Sequence, residues 1–235
     1  IITNIKTLLK ETEKTLPEGV GYNINFDTNE FLDASISKVI TTLIEAFILV
    51  FLVVFLFLQD FRSTLIPAIA VPVSIIGTFF FLNLFGYSIN LLTLFALVLA
   101  IGIVVDDAIV VVEAVHAKME GGITDAKKAT VEAMDEITGA IISITLVMAA
   151  VFIPVTFLTG PTGVFYQQFG ITLIIAILIS AVNALTLSPV LCAMFLKQPA
   201  HHTKEYASLN FAQKFFSKFN AGFNAGTKKY GQSFN

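Results

Sequence analysis

Five long apolar segments dominate this sequence of 235 residues. They lie at about 31–58, 64–85, 88–116, 137–158 and 165–196. A membrane-spanning helix needs about 20 predominantly apolar residues, and each segment reaches that length. Only 13% of the residues are charged and the mean hydropathy is +0.83, whereas soluble domains are about 25% charged. The sequence therefore predicts an all-α polytopic membrane protein with five transmembrane helices in residues 31–197.

The segment before the first span has a different pattern. Apolar residues recur at helical spacing over residues 1–16, and Pro17 follows them. Residues 20–26 then alternate between apolar and polar side chains, which is typical of a half-buried strand. One helix and one strand cannot enclose a core. We therefore expect residues 1–30 to be the end of a soluble α+β domain that belongs to a longer polypeptide.

The segment after the last span, residues 198–235, predicts a connector with one helix. Phe211, Phe215, Phe219 and Phe223 recur every four residues beside lysines. A helix with this pattern lies in the headgroup region, with its apolar side in contact with lipid and its lysines near phosphates. We expect a C-terminal amphipathic interfacial helix, with packing on another soluble element as the alternative.

The distribution of lysine and arginine predicts the orientation. Basic residues concentrate in the connections at 59–63 and 117–136 and after Leu196, whereas the connections at 85–89 and 159–164 contain none. Loops rich in lysine and arginine remain on the cytoplasmic side. With five spans, residues 1–30 are then on the outer side.

Two adjacent acids, Asp106 and Asp107, interrupt the third apolar segment. A charged side chain at the centre of a membrane helix costs roughly 2.5–3.5 kcal/mol on insertion scales. Neighbouring residues of a helix point about 100° apart, so the two carboxylates should face different neighbours or two sides of one polar cavity. Such acids are typical of proton or ion pathways, and a purely structural pairing is the alternative.

Three further titratable residues are candidates for accessory roles. Glu113 and His116 lie toward the cytoplasmic end of the same helix, where they either anchor it at the interface or provide an exit for protons. Glu45 lies in the first span and is either an interfacial acid or a functional one.

Prolines in the spans predict kinks or helix ends. They are Pro67, Pro72, Pro154 and Pro189. Proline removes a backbone donor and its ring clashes with the preceding turn. The single cysteine, Cys192, excludes an intrachain disulfide and is expected to be a small buried packing residue.

Covalent catalysis and nucleic-acid binding are both disfavoured. Intramembrane aspartyl proteases need two aspartates on different helices, one of them in a GxGD motif, but Gly102 precedes Asp106 by four residues. The acids and His116 do not converge as metal ligands on one helix face. A net charge of −3 gives no sign of nucleic-acid binding. We therefore expect neither an enzyme nor a resident cofactor.

Several stretches of the chain together resemble one family. They are LTLFALVLAIGIVVDDAIVVVEAVH (92–116), LFLQDFRSTLIPAIAVPVSIIGTF (56–79), FGYSIN (85–90), VFIPVTFLTGPTGVFYQQFGIT (151–172) and LTLSPVLCAMFLK (185–197). They are similar, in order and over nearly the whole chain, to resistance-nodulation-division (RND) efflux pumps. Metal-exporting relatives usually carry a single aspartate here, so the pair Asp106 and Asp107 resembles the hydrophobe/amphiphile branch.

The resemblance implies a function and a cellular setting. The chain would contain helices two to six of a twelve-helix transporter in the inner membrane of a Gram-negative bacterium, with residues 1–30 ending a periplasmic porter domain. The family's proton-relay pair falls on Asp106 and Asp107, and its acid in the second helix falls on Glu45. The resemblance further implies proton-driven antiport of small amphiphilic substrates, a homotrimer in contact with membrane lipids, a periplasmic adaptor and an outer-membrane channel.

Two other functions remain as alternatives. One is a SecDF-like transporter that uses protons to assist protein secretion. The other is a membrane domain that senses lipids or sterols without transport. The periplasmic domains would separate these functions, because two large porter modules favour drug export.

Overall fold

The computed structural model describes residues 2–17, 21, 24, 28–197 and 227. Within these residues every regular element is helical. The elements are α1 (Ile2–Glu13), α2 (Thr28–Leu58), α3 (Phe61–Leu84), α4 (Leu91–Glu120), α5 (Ala126–Phe152), a short 3-10 helix (Ile153–Phe157), α6 (Gly160–Leu185) and α7 (Leu187–Phe195).

Five segments of the described chain have the length and apolar composition needed to cross a membrane. Helices α2, α3 and α4 each form one span, α5 forms the fourth with the 3-10 helix, and α6 forms the fifth with α7. The predicted number of spans and their order are therefore confirmed. The helix α1 is also confirmed. The predicted strand and the C-terminal amphipathic helix fall on positions outside the described residues, apart from Gly21, Ile24 and Thr227.

The fifth span consists of two helices, in agreement with the kink or helix end that Pro189 predicts. It breaks at Thr186, whose φ of −123° and ψ of −65° are not helical. Three residues later Pro189 lacks the N–H that would donate to the carbonyl of Leu185, so a continuous helix would lose a hydrogen bond there. The fourth span begins at Ala126 rather than near 137, because Asp125 caps the helix and its first turns continue outside the apolar segment.

Local capping interactions determine where α3 and α4 begin. The side chain of Asn90 accepts hydrogen bonds from the backbone N–H groups of Leu92 and Thr93, and the Thr93 hydroxyl accepts one from the backbone of Asn90. This reciprocal arrangement satisfies donors at the helix N-terminus. Asp60 caps α3 by accepting from the backbone N–H of Ser63.

The predicted effects of the prolines are partly confirmed. Pro67 and Pro72 lie inside α3, which continues past them as one helix. Pro154 follows the end of α5 and lies in the 3-10 helix. Pro154 and Pro189 therefore mark helix ends, whereas Pro67 and Pro72 do not.

Helix α4 occupies the centre of the bundle and contacts α2, α3, α5, α6 and α7. Its side chains Val111, Val112 and Val115 are fully buried in the largest apolar cluster, which also contains Cys192. The predicted packing role of the cysteine is thus confirmed. Every helix that moves against α4 must change this shared core.

Small residues let α6 approach its neighbours closely. Ala96 and Ala100 of α4 are buried against Leu173 and Ala176 of α6. On α3, a Cβ atom added to Gly77 would lie 3.2 Å from Ile179 of α6. Membrane helices pack through such contacts because lipid provides no hydrophobic force between them. The α4–α6 contact is therefore close along the half of α4 that precedes the acid pair.

Gly163 provides a test of the connection into α6. A Cβ atom at this position would lie 2.4 Å from the carbonyl oxygen of Leu158, so Gly163→Ala forces the backbone to shift. We expect a loss of about 1–3 kcal/mol in unfolding free energy, measured by denaturant titration of the full-length protein in detergent. Gly139→Ala is the control, because its added Cβ lies more than 4 Å from every described atom other than the neighbouring backbone of its own helix. Equal stability of the two variants would contradict this packing.

The predicted orientation can be tested with single cysteines in a Cys192→Ala background. Thr159 and Lys127 are exposed at opposite ends of the fourth span. We expect a thiol at Thr159, but not one at Lys127, to react with a membrane-impermeant reagent added to intact spheroplasts, because the lysine-rich side remains inside. Both thiols should react after lysis. The opposite pattern in intact spheroplasts would show that the topology is inverted.

Candidate functional site

The two acids of α4 point to different surroundings, as the helical geometry predicts. Asp107 is half-buried and faces α6, on the side of α4 that carries Ala96 and Ala100. Asp106 is exposed, on the side that carries Gly102 and Glu113. Adjacent positions in one helix thus place one carboxylate at a helix interface and the other at an open surface.

Asp107 has a specific partner on the neighbouring helix. The hydroxyl of Ser180 in α6 donates a hydrogen bond to Asp107 Oδ2 at 2.5 Å. Hydrogen bonds to charged groups contribute about 1.5–3 kcal/mol, more than those between neutral groups. This contact joins the acid pair to the helix that packs most closely on α4.

An open cleft of about 300 Å³ lies over the pair, between α4 and α5. Apart from the two carboxylates, its lining is apolar, from Gly102, Ile103, Val105, Ile109, Ile144 and Met148. Among the described residues, no lysine or arginine forms an ion pair with Asp106 or Asp107. The pair is therefore the polar feature of an otherwise apolar cleft.

The other candidate acids are not brought to the pair. Glu45 is exposed on α2 and Glu113 is exposed on α4, two turns beyond Asp106. Neither lines the cleft over Asp106 and Asp107.

His116 is part of a second polar group, at the end of α4 beyond Glu113. Its Nε2 atom lies 2.6 Å from the hydroxyl of Ser63 on α3. The same hydroxyl donates to Asp60 Oδ2 at 2.6 Å. Burial tends to raise the pKa of Asp60, but hydrogen bonds from Ser63 and the backbone of Arg62, with the nearby His116, bring this pKa below its usual value. The Asp60 carboxyl is thus held in its ionised form.

Both ends of α4 are tied to other helices by polar side chains. At one end the amide of Asn90 donates to Gln168 of α6. At the other end Lys118 forms an ion pair with Glu136 of α5. Between these ends, Ser180 holds Asp107. Helix α4 is therefore positioned by a few polar contacts within an apolar core.

Sequence patterns do not single out Ser63, Asp60 or Ser180, which the structure places in contact with the candidate residues. A serine in an apolar span or at a helix start is common, and nothing in its sequence neighbours reveals the residue it will contact. Ser180 is 73 positions from Asp107, and Ser63 is 53 positions from His116. Helix packing alone brings these pairs together.

The arrangement is suited to binding and releasing protons. Within the described part of the chain, no three His, Cys, Asp or Glu side chains are grouped to hold a metal ion. Carboxylates in an apolar cleft change the charge inside the bundle when they gain or lose a proton, and intramembrane acids are typical of proton relays.

Comparison with known proteins gives the family. The model of the AcrB/AcrD/AcrF family matches residues 1–235. The chain is 46% identical to the multidrug export protein AcrF of Escherichia coli strain K12 over 97% of the chain and 22% of AcrF. It is 44% identical to the solvent-resistant pump membrane transporter SrpB of Pseudomonas putida, over 96% of the chain and 21% of SrpB.

A third relative has a similar degree of identity. The toluene efflux pump membrane transporter TtgE, also of Pseudomonas putida, is 43% identical, over 98% of the chain and 22% of TtgE. The chain thus spans about a fifth of the length of these curated relatives. The family match covers the acid pair, the central helix and all five spans, and the chain belongs to the AcrB/AcrD/AcrF family of efflux transporters.

Proposed function

We propose that this chain is part of the membrane domain of a proton-driven exporter of small amphiphilic compounds, and that Asp106 and Asp107 are its proton-relay pair. The observation that carries the proposal is the placement of the pair in α4. One carboxylate is hydrogen-bonded to a neighbouring helix and the other faces an open cleft. Protonation at either position changes the charge at the centre of the bundle.

The mechanism begins with a proton from the outer side that enters the cleft and neutralises one carboxylate. An ionised Asp107 accepts the hydrogen bond from Ser180, whereas a protonated Asp107 carries a donor of its own, so the contact between α4 and α6 depends on proton occupancy. A shift of α4 against its neighbours then follows. Helix α2 passes the shift to residues 1–30 and the periplasmic domain that they end.

The proton gradient supplies sufficient energy for such a cycle. Each charge that crosses the membrane potential yields about 2.3 kcal/mol per 100 mV. Proton uptake from the outer side and release to the cytoplasm therefore favour one direction of the cycle. Covalent chemistry is not needed, and the protein acts as an antiporter rather than an enzyme.

The relatives support export as the role. AcrF is named as a multidrug export protein, SrpB as a solvent-resistant pump and TtgE as a toluene efflux pump. We propose a similar range of amphiphilic substrates, an inner-membrane location in a Gram-negative cell, a homotrimer, and a periplasmic adaptor with an outer-membrane channel. A cationic partner for the acid pair would come from the helices of the other half of the transporter.

The first test replaces each acid in the full-length transporter. Asp106→Asn and Asp107→Asn keep size and hydrogen bonding but cannot titrate. We expect each to abolish transport while membrane insertion is unchanged. Drug-susceptibility assays at matched expression measure this, with Asp135→Asn as control because Asp135 is an exposed acid of α5 far along the chain from the pair. Near-normal resistance in either test variant would rule out proton coupling at that residue.

The second test concerns Ser180. Ser180→Ala removes the donor to Asp107, which is worth about 1.5–3 kcal/mol, so we expect export to fall roughly tenfold or more. Ser180→Thr retains a hydroxyl and should keep most of the wild-type export rate. Ser143→Ala is the control, because the Ser143 hydroxyl donates only to the carbonyl of Gly139 in its own helix. Equal export rates in the Ser180→Ala and Ser143→Ala variants would contradict this role.

A further inference from the structure

The group formed by Asp60, Ser63 and His116 has the geometry of a short proton wire. Ser63 is fully buried, with 0% exposure, between two titratable side chains. Its hydroxyl oxygen lies 2.6 Å from Asp60 Oδ2 on one side and 2.6 Å from His116 Nε2 on the other. The contact with Asp60 is within the usual range for O–H···O hydrogen bonds, and the contact with His116 is slightly shorter than most N–H···O hydrogen bonds.

The hydrogen positions follow from the number of donors. A serine hydroxyl has one proton, and Ser63 donates it to Asp60 Oδ2. That oxygen also accepts from the Ser63 backbone N–H at 3.1 Å, which fixes the direction of the carboxylate. The lone pairs of the hydroxyl then face His116, so its Nε2 atom carries the proton of the second hydrogen bond. The three groups form an ordered chain of donors and acceptors.

The charged side chains on the neighbouring helices are paired or exposed, which leaves Asp60 as the proton acceptor of the group. On α5, Glu136 forms an ion pair with Lys118. On α3, Arg62 is exposed, and on α4 both Glu113 and Glu120 are exposed. Asp60 itself is partly exposed where α2 meets α3, on the lysine-rich side of the bundle. The hydrogen-bonded group therefore reaches the surface at Asp60, while Ser63 in its middle is buried away from solvent.

We propose that His116, Ser63 and Asp60 conduct transported protons from α4 to the cytoplasmic surface. The proposal rests on the proposed proton-driven export. An imidazolium at His116 gives its Nε2 proton to the Ser63 oxygen as Ser63 gives its own proton to Asp60 Oδ2. The products are a neutral imidazole, an intact hydroxyl and a carboxylic acid. Asp60 then releases its proton to water, and Ser63 and His116 rotate back to their starting positions.

The wire is distinct from the acid pair. His116 is nine residues beyond Asp107, or roughly 13 Å along the helix axis. On the packed sides of α4 this interval is filled by Val111, Val112 and Val115, all fully buried. The open side carries Glu113 instead, so water along that side would deliver protons to His116.

The test uses the full-length transporter reconstituted in vesicles of phosphatidylethanolamine and phosphatidylglycerol, with a pH-sensitive dye in the lumen. Ser63→Ala breaks the wire but keeps the backbone N–H that Asp60 caps. We expect the rate of proton transport across the vesicle membrane to fall roughly tenfold or more. Added imidazole buffer should restore this rate, because a mobile base replaces the missing hydroxyl. Asp60→Asn is a second variant, since asparagine caps helices well but cannot take up a proton.

Ser188→Ala is the matched control. Ser188 is also fully buried, and its hydroxyl has no hydrogen-bond partner among the described residues. Its proton movement should equal that of the wild type at every imidazole concentration. Wild-type rates in both Ser63→Ala and Asp60→Asn would overturn the wire, as would slow rates that imidazole does not restore. Proton movement retained in Asp107→Asn would instead overturn the proposed export mechanism.

Discussion

The cost of holding carboxylates inside an apolar bundle governs this structure. An isolated charge at the middle of a membrane helix is unfavourable by several kcal/mol, and neighbouring helices must compensate for it. Asp107 obtains a hydrogen bond from Ser180, which requires α6 to approach α4 closely. Asp106 faces an open cleft between α4 and α5. The two carboxylates are thus accommodated differently, one by a hydrogen bond from a neighbouring helix and the other by an open cleft.

The same constraint explains why α4 is central. A helix with acids on two faces needs a neighbour with a donor on one side and an accessible surface on the other. Its remaining faces are apolar and bury Val111, Val112 and Val115 against other helices. Polar contacts occur at its ends, through Asn90 and His116, where they tie it to α6 and α3. Helix α4 is thus held by polar contacts at its ends and at Asp107, and is packed elsewhere by non-directional contacts.

The two polar groups on α4 have different roles in the proposed cycle. The pair in the middle of α4 senses proton occupancy through the contact with Ser180. The group at its end, with Ser63 between His116 and Asp60, provides a route to the lysine-rich surface. Both groups join α4 to a different helix, so a proton at either site alters an interhelical contact rather than an isolated side chain.

Much of the fold could be predicted from the sequence because membrane spans depend on local composition. Twenty apolar residues must form a helix in lipid, since backbone groups find no other partners there. The capping residues Asn90 and Asp60 lie within three positions of the groups that they bind. The proline rule predicts a kink or helix end at Pro189, and the break at Thr186 lies three residues before it. The same rule does not distinguish Pro189 from Pro67 and Pro72, which lie inside the continuous helix α3, so the sequence could not show which prolines mark a break.

The acid pair was predictable for a related reason. Acids in an apolar run are unusual at any position, so Asp106 and Asp107 stand out without knowledge of their neighbours. Helical geometry alone also predicts that they point apart. The sequence by itself thus determined the class of the protein, its five spans and its titratable pair. Only the tertiary structure decided that Ser180 and Ser63 are the partners of Asp107 and His116, because hydrogen bonds between distant residues depend on how the helices pack.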